Sequence, residues 1–169
     1  MKKNQSLVLI LFIVLTLIPF YAQEISKLSI TDLPSLPADN TSTESLGFAG
    51  MLGGAHNGVF LAAGGANFPD GLPWEGGDKV WSKRIYIFEN NEWRLSTKQL
   101  PIPLGYAASV ATPKGVLSIG GNNKTLISDK VLLLSYNKST KDVEISEYPN
   151  LPEPLAFSSA VVVDDFVYV

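Results

Sequence analysis

The side chains best able to do chemistry crowd into one stretch. Ala66 to Trp81 reads A-N-F-P-D-G-L-P-W-E-G-G-D-K-V-W and carries Asn67, Asp70, Glu75, Asp78 and Lys79 beside Trp74 and Trp81. An indole face stacks on the C–H face of a sugar ring, while amides and carboxylates satisfy its hydroxyls. The mixture therefore suits a carbohydrate. A plainer reading stays open beside it, in which this is a Gly/Pro-rich loop whose tryptophans pack on neighbouring elements.

Other chemistries are excluded by what the chain lacks. It has 169 residues and no cysteine, so disulfides, thiolate metal sites, a cysteine nucleophile and a lipidated N-terminal cysteine are ruled out. A single histidine, His56, rules out a multi-histidine metal centre within the chain. Placed in the turn Gly54-Ala55-His56-Asn57-Gly58, it is expected to be solvated or to cap that turn, and as an acid or base it would need a partner that the sequence does not display. The formal net charge is −3, which argues against a nucleic-acid partner, since that needs a basic face. The pairs Gly64-Gly65 and Gly120-Gly121 fit neither the P-loop nor the dinucleotide fingerprint. They read as points of tight backbone approach at strand ends.

The elements that must position these residues are short strands. Leu46–Leu52, Gly58–Ala63, Arg84–Glu89 and Glu92–Ser96 are runs rich in apolar, β-branched or aromatic residues, bounded by Gly and Asn, the usual strand signals. The pattern then repeats. The glycine pairs recur 56 residues apart, Leu100-Pro101 and Leu151-Pro152 recur at 51, and Ser82–Phe88 is matched by Ser128–Leu134. Gly47-Phe48-Ala49 is matched by Gly105-Tyr106-Ala107 and by Ala156-Phe157-Ser158, at spacings of 58 and 51. Four strands in a unit of about 50 residues indicate an all-β, kelch-type propeller blade. One blade spans 47–97, a second 105–148 and a partial third 156–169, about two and a quarter blades. Because a closed propeller usually has four to eight blades, the chain is expected to be a truncated piece of a larger one.

The N-terminal region reads separately. Residues 1–22 have the form of a removable signal peptide: Lys2 and Lys3, then a run from Leu7 to Ile18 in which only Thr16 is not apolar, then Pro19 and the small Ala22. The run is short for a bilayer span, which needs about 20 residues. Its removal leaves 11 basic against 16 acidic side chains. Export to the periplasm is expected, with no membrane attachment after cleavage. Residues 23–46 form a linker, within which Ile25–Leu33 is expected to be a strand that closes the ring.

The stretch Gly64-Gly65-Ala66-Asn67-Phe68-Pro69-Asp70-Gly71-Leu72-Pro73-Trp74-Glu75-Gly76-Gly77, with Gly47-Phe48-Ala49-Gly50, Gly54-Ala55-His56-Asn57 and Leu104-Gly105-Tyr106-Ala107-Ala108-Ser109, resembles the cyclically permuted mutarotase family. These are kelch-repeat relatives of bacterial N-acetylneuraminate epimerase (sialic acid mutarotase). The resemblance implies a six-bladed propeller that interconverts the α and β anomers of a sugar acid without metal or organic cofactor, and it leaves homo-oligomerisation open. It implies ligand-lining roles for Asn67, Asp70, Trp74 and Glu75, with Lys79 and Arg84 as nearby cations. The family's catalytic glutamate, with an arginine six residues later in an Asn-Gly-Glu turn, has no match in residues 1–169, so the catalytic residues are expected beyond residue 169. The other reading is a non-catalytic kelch propeller that binds a glycan or protein in the cell envelope, since a fold alone does not decide function.

Overall fold

A computed structural model describes residues 29–38 and 45–169. The expected signal peptide and the first part of the expected closing strand lie outside the described residues. Residues 29–38 carry neither strand nor helix. Among the described residues no helix is long and apolar enough to cross a membrane, and the helical content is one 3-10 turn at Pro73–Glu75.

Three antiparallel sheets follow one another along the chain. The first contains β1 (Ala49–His56), β2 (Val59–Asn67), β3 (Val80–Trp81), β4 (Arg84–Glu89) and β5 (Glu92–Gln99), in the order β1-β2-β4-β5, with β3 paired to the end of β2. The second contains β6 (Ala108–Thr112), β7 (Gly115–Ile119), β8 (Val131–Asn137) and β9 (Asp142–Tyr148), in chain order. The third is the hairpin of β10 (Val161–Val163) and β11 (Phe166–Tyr168). The first strand starts at Ala49, later than the apolar run from Leu46, and continues to His56. Two-residue turns at Asn57-Gly58 and Asn90-Asn91, with positive φ at all four residues, match the right-handed twist of the strands they join.

The first two sheets pack face to face. Leu61 and Ala63 of β2 pair with Ile87 and Ile85 of β4, and these side chains meet Val116, Leu132, Leu134 and Val143 of the second sheet in one buried cluster. Alternation puts Tyr86 on the opposite face of β4, where its ring lies 6.2 Å from that of Phe48. A smaller cluster of Ala108, Leu117, Ile119 and Leu133 gathers Leu151 and Ala160, so it reaches toward the third sheet.

The junctions between sheets repeat one hydrogen-bond set. Gly65 N–H donates to the Leu104 carbonyl at 2.8 Å, and Gly121 N–H to the Leu155 carbonyl at 2.7 Å. Ser82 N–H donates to the Gly65 carbonyl and Ser128 N–H to that of Gly121. Leu104 N–H then donates to the Ser82 carbonyl and Leu155 N–H to that of Ser128, both at 3.1 Å. The glycine ahead of each donor is obligatory. At Gly64 and Gly120 φ is +67°, and a Cβ would fall 2.2 Å from the Leu104 carbonyl oxygen and 2.1 Å from that of Leu155. The double glycines are thus points of tight backbone approach, through which each Leu-Pro segment is fastened to the preceding sheet.

At the far end of the strands, side chains clasp the first two sheets. His56 neither caps its own turn nor stands free. Its Nδ1 accepts from Tyr136 N–H at 2.9 Å, while Asn57 Nδ2 donates to the Tyr136 carbonyl at 2.8 Å. The buried Tyr136 hydroxyl lies 3.2 Å from both Glu89 carboxylate oxygens, and Arg94 donates to it at 3.3 Å. Burial and the adjacent Glu89 push the ionisation of this phenol upward. Asp142, at the start of β9, accepts from the hydroxyls of Ser96 and Thr97 and the Thr97 N–H of β5. Burial works against its charge, but these bonds and that from Val143 N–H outweigh burial and hold its carboxyl below the usual range.

Two outcomes are expected. Gly64→Ala should destabilise the fold by at least ~3 kcal/mol in urea unfolding, combining left-handed strain with a backbone clash. Gly47→Ala has the same φ of +67° but open space around its Cβ, so it should cost only about 1 kcal/mol. The second concerns acid. A depressed carboxyl contributes stability that is present above its unfolded value and lost as pH falls through the folded one. The Asp142 contribution should therefore vanish on acidification below its ordinary value of 3.8. Asp142→Asn should lower the urea midpoint at pH 6 and shrink the drop seen between pH 6 and pH 3.

Candidate functional site

Of the expected ligand-lining residues, Asn67 and Glu75 are engaged within the protein, and Asp70 and Trp74 are exposed in the insert. The side-chain amide of Asn67, at the end of β2, donates to the Gly47 carbonyl at 3.0 Å, tying the strand to the entry of β1. Asn67 also borders an open cavity of about 390 Å³ that Arg84 shares. Glu75 is engaged in its own loop, where Oε2 accepts from Leu72 N–H at 3.0 Å and closes the 3-10 turn. Trp74, in that turn, is 79% exposed. Asp70 is exposed in the loop just after β2.

A different group comes together where the insert returns to the sheet. Lys79, just before β3, places its Nζ 2.6 Å from the Tyr106 hydroxyl, 4.4 Å from the centre of the Tyr106 ring and 5.2 Å from that of Trp81. Phe157 lies on the other sheet junction, and its ring centre is 4.7 Å from that of Tyr106. Lys79 and Trp81 line a cavity of about 420 Å³ with Asp78 and Lys124, which pair at 3.6 Å. Trp81 Nε1 is buried there without a hydrogen-bond partner. Among the described residues no cluster of three metal-ligating side chains is present.

Backbone geometry explains why these aromatics gather. Tyr106 N–H donates to the Gly50 carbonyl at 2.8 Å, and Phe157 N–H donates to the Tyr106 carbonyl at 2.9 Å. Gly50, Tyr106 and Phe157 all have positive φ, of +65°, +57° and +58°. The ladder makes Gly50 the structural counterpart of Tyr106, two residues beyond Phe48, with which residue type pairs it. Gly50 has no side chain because the Tyr106 ring occupies that space: a Cβ there would lie 2.5 Å from Tyr106 Cδ1. Left-handed conformations are costly for bulky aromatics and concentrate at functional positions.

A family model described as NANM: N-acetylneuraminate epimerase matches residues 20–144. The chain belongs to the N-acetylneuraminate epimerase family. The N-acetylneuraminate epimerase of Haemophilus influenzae is 36% identical over 121 residues, covering 64% of this chain and 32% of that protein. The Vibrio cholerae serotype O1 protein of the same description is 37% identical over 118 residues, covering 64% and 30%. The chain thus spans about a third of the length of these curated relatives. A solved structure of YjhT superposes with a TM-score of 0.54 at 24% identity, over 66% of this chain and 33% of that one, a likeness of fold.

Proposed function

We propose that this chain is part of an exported, six-bladed kelch propeller that interconverts the α and β anomers of N-acetylneuraminate in the periplasm. Membership of the N-acetylneuraminate epimerase family is the observation that carries this reading. The repeated junctions support the propeller. So do two apolar faces at either end of the stack, one exposing Phe60 and Leu95 of the first sheet and the other Val161, Val163 and Phe166 of the third. Further blades would cover both, since large apolar patches of this kind mark surfaces meant for burial.

The chemistry needs two proton transfers. A base takes the proton of the anomeric hydroxyl while an acid protonates the ring oxygen, and the ring opens at the anomeric carbon. Rotation and reclosure on the other face of the carbonyl give the other anomer, with the proton transfers reversed. The substrate's carboxylate sits on the same carbon, so a fixed cation would hold the reacting centre in register. By the family resemblance, the acid–base pair lies outside residues 1–169. Residues 23–169 alone are therefore expected to be inactive and prone to aggregate through the open faces.

The test is NMR of anomer exchange. The full-length protein should speed conversion of the α anomer of N-acetylneuraminate at least tenfold over buffer, and residues 23–169 should not. A full-length protein no faster than buffer would overturn the proposal in favour of a non-catalytic binder.

A further inference from the structure

We infer that Lys79 and Tyr106 together bind the carboxylate of an acidic sugar. This rests on the sugar-acid reading above and assigns its anion to particular atoms.

Two observations converge. First, Lys79 makes no ion pair among the described residues, although it borders a cavity in which the neighbouring Asp78 and Lys124 pair with each other. A half-buried ammonium held in place without a carboxylate is ready for an anion from outside. Second, the 2.6 Å contact fixes the direction of the hydrogen bond. An ammonium only donates, so the Tyr106 oxygen accepts and its own proton is left to donate elsewhere. The phenol O–H and the remaining Lys79 N–H groups are then two adjacent donors, which suits the two oxygens of a carboxylate. Lys79 itself lines, with Trp81, a cavity of about 420 Å³, within the usual range for small-molecule sites, about 300–1,000 Å³.

The experiment is calorimetric titration of the full-length protein with N-acetylneuraminate and with its methyl ester, which keeps the ring and removes the charge. The wild-type protein should bind the acid about tenfold or more tightly than the ester. Lys79→Met should remove that difference, Lys79→Arg should restore part of it, and Tyr106→Phe should reduce it. Each variant should keep the wild-type melting profile. A Lys79→Met protein that still prefers the acid would overturn the inference. If it does so while the wild type accelerates anomer exchange, the epimerase reading survives alone. If the wild type shows the Lys79-dependent preference without accelerating exchange, the carboxylate site stands and the epimerase reading falls. If it binds neither compound, the inference is overturned, and the anomer-exchange assay alone decides the epimerase reading.

Discussion

The structure depends on a backbone approach that leaves no room for a side chain. The Leu104 carbonyl reaches over Gly64 to accept from Gly65 N–H, and the Leu155 carbonyl does the same over Gly120 to Gly121. An apolar sheet face can slide against another without large loss, because hydrophobic contact is not directional. A hydrogen bond through a gap closed to any Cβ cannot. The double glycine sets the height and angle at which each sheet follows the last, and the packing of Leu61, Ile85 and Ile87 on Leu132, Leu134 and Val143 follows from it. The polar clasps of His56, Asn57 and Asp142 fasten the opposite end of the same pair of sheets.

The candidate site inherits its geometry from this junction. The residues just after each Leu-Pro segment must turn sharply to enter the next sheet, and that turn is where Tyr106 and Phe157 take left-handed backbone conformations. Their N–H groups form a ladder from Gly50 through Tyr106 to Phe157, which stacks the two rings over a glycine. The insert of the first sheet returns through β3, pairing with Ala66 and Asn67, and so delivers Lys79 and Trp81 to the edge of the stack. Strands and junctions, rather than the insert's exposed tip, hold the groups that face one another.

Much of the architecture could be read from residue order. The glycine pairs, the Leu-Pro segments and the Asn-bounded strands each carry a local backbone requirement that the sequence displays directly. The site was less legible. Matching residues by type paired Phe48 with Tyr106, whereas the hydrogen bonds pair Gly50 with Tyr106, because at that rung of the ladder what recurs is a backbone conformation and not a side chain. Asn67 and Glu75 were visible as polar residues in a promising loop, but their hydrogen bonds to Gly47 and Leu72 are consequences of folding. His56 meets a partner 80 residues away, which no local pattern around a turn reveals.

Residue-level hydrogen exchange of backbone amides in the full-length protein tests the junctions most directly. Slow exchange at Gly65, Gly121, Tyr106 and Phe157, close to that of Ile85 and Ile87 in β4, is the result predicted, since the junction bonds should open only with the sheets themselves. Rapid exchange at these four amides while the β4 amides stay protected would contradict the account, because the sheets would then hold together without them.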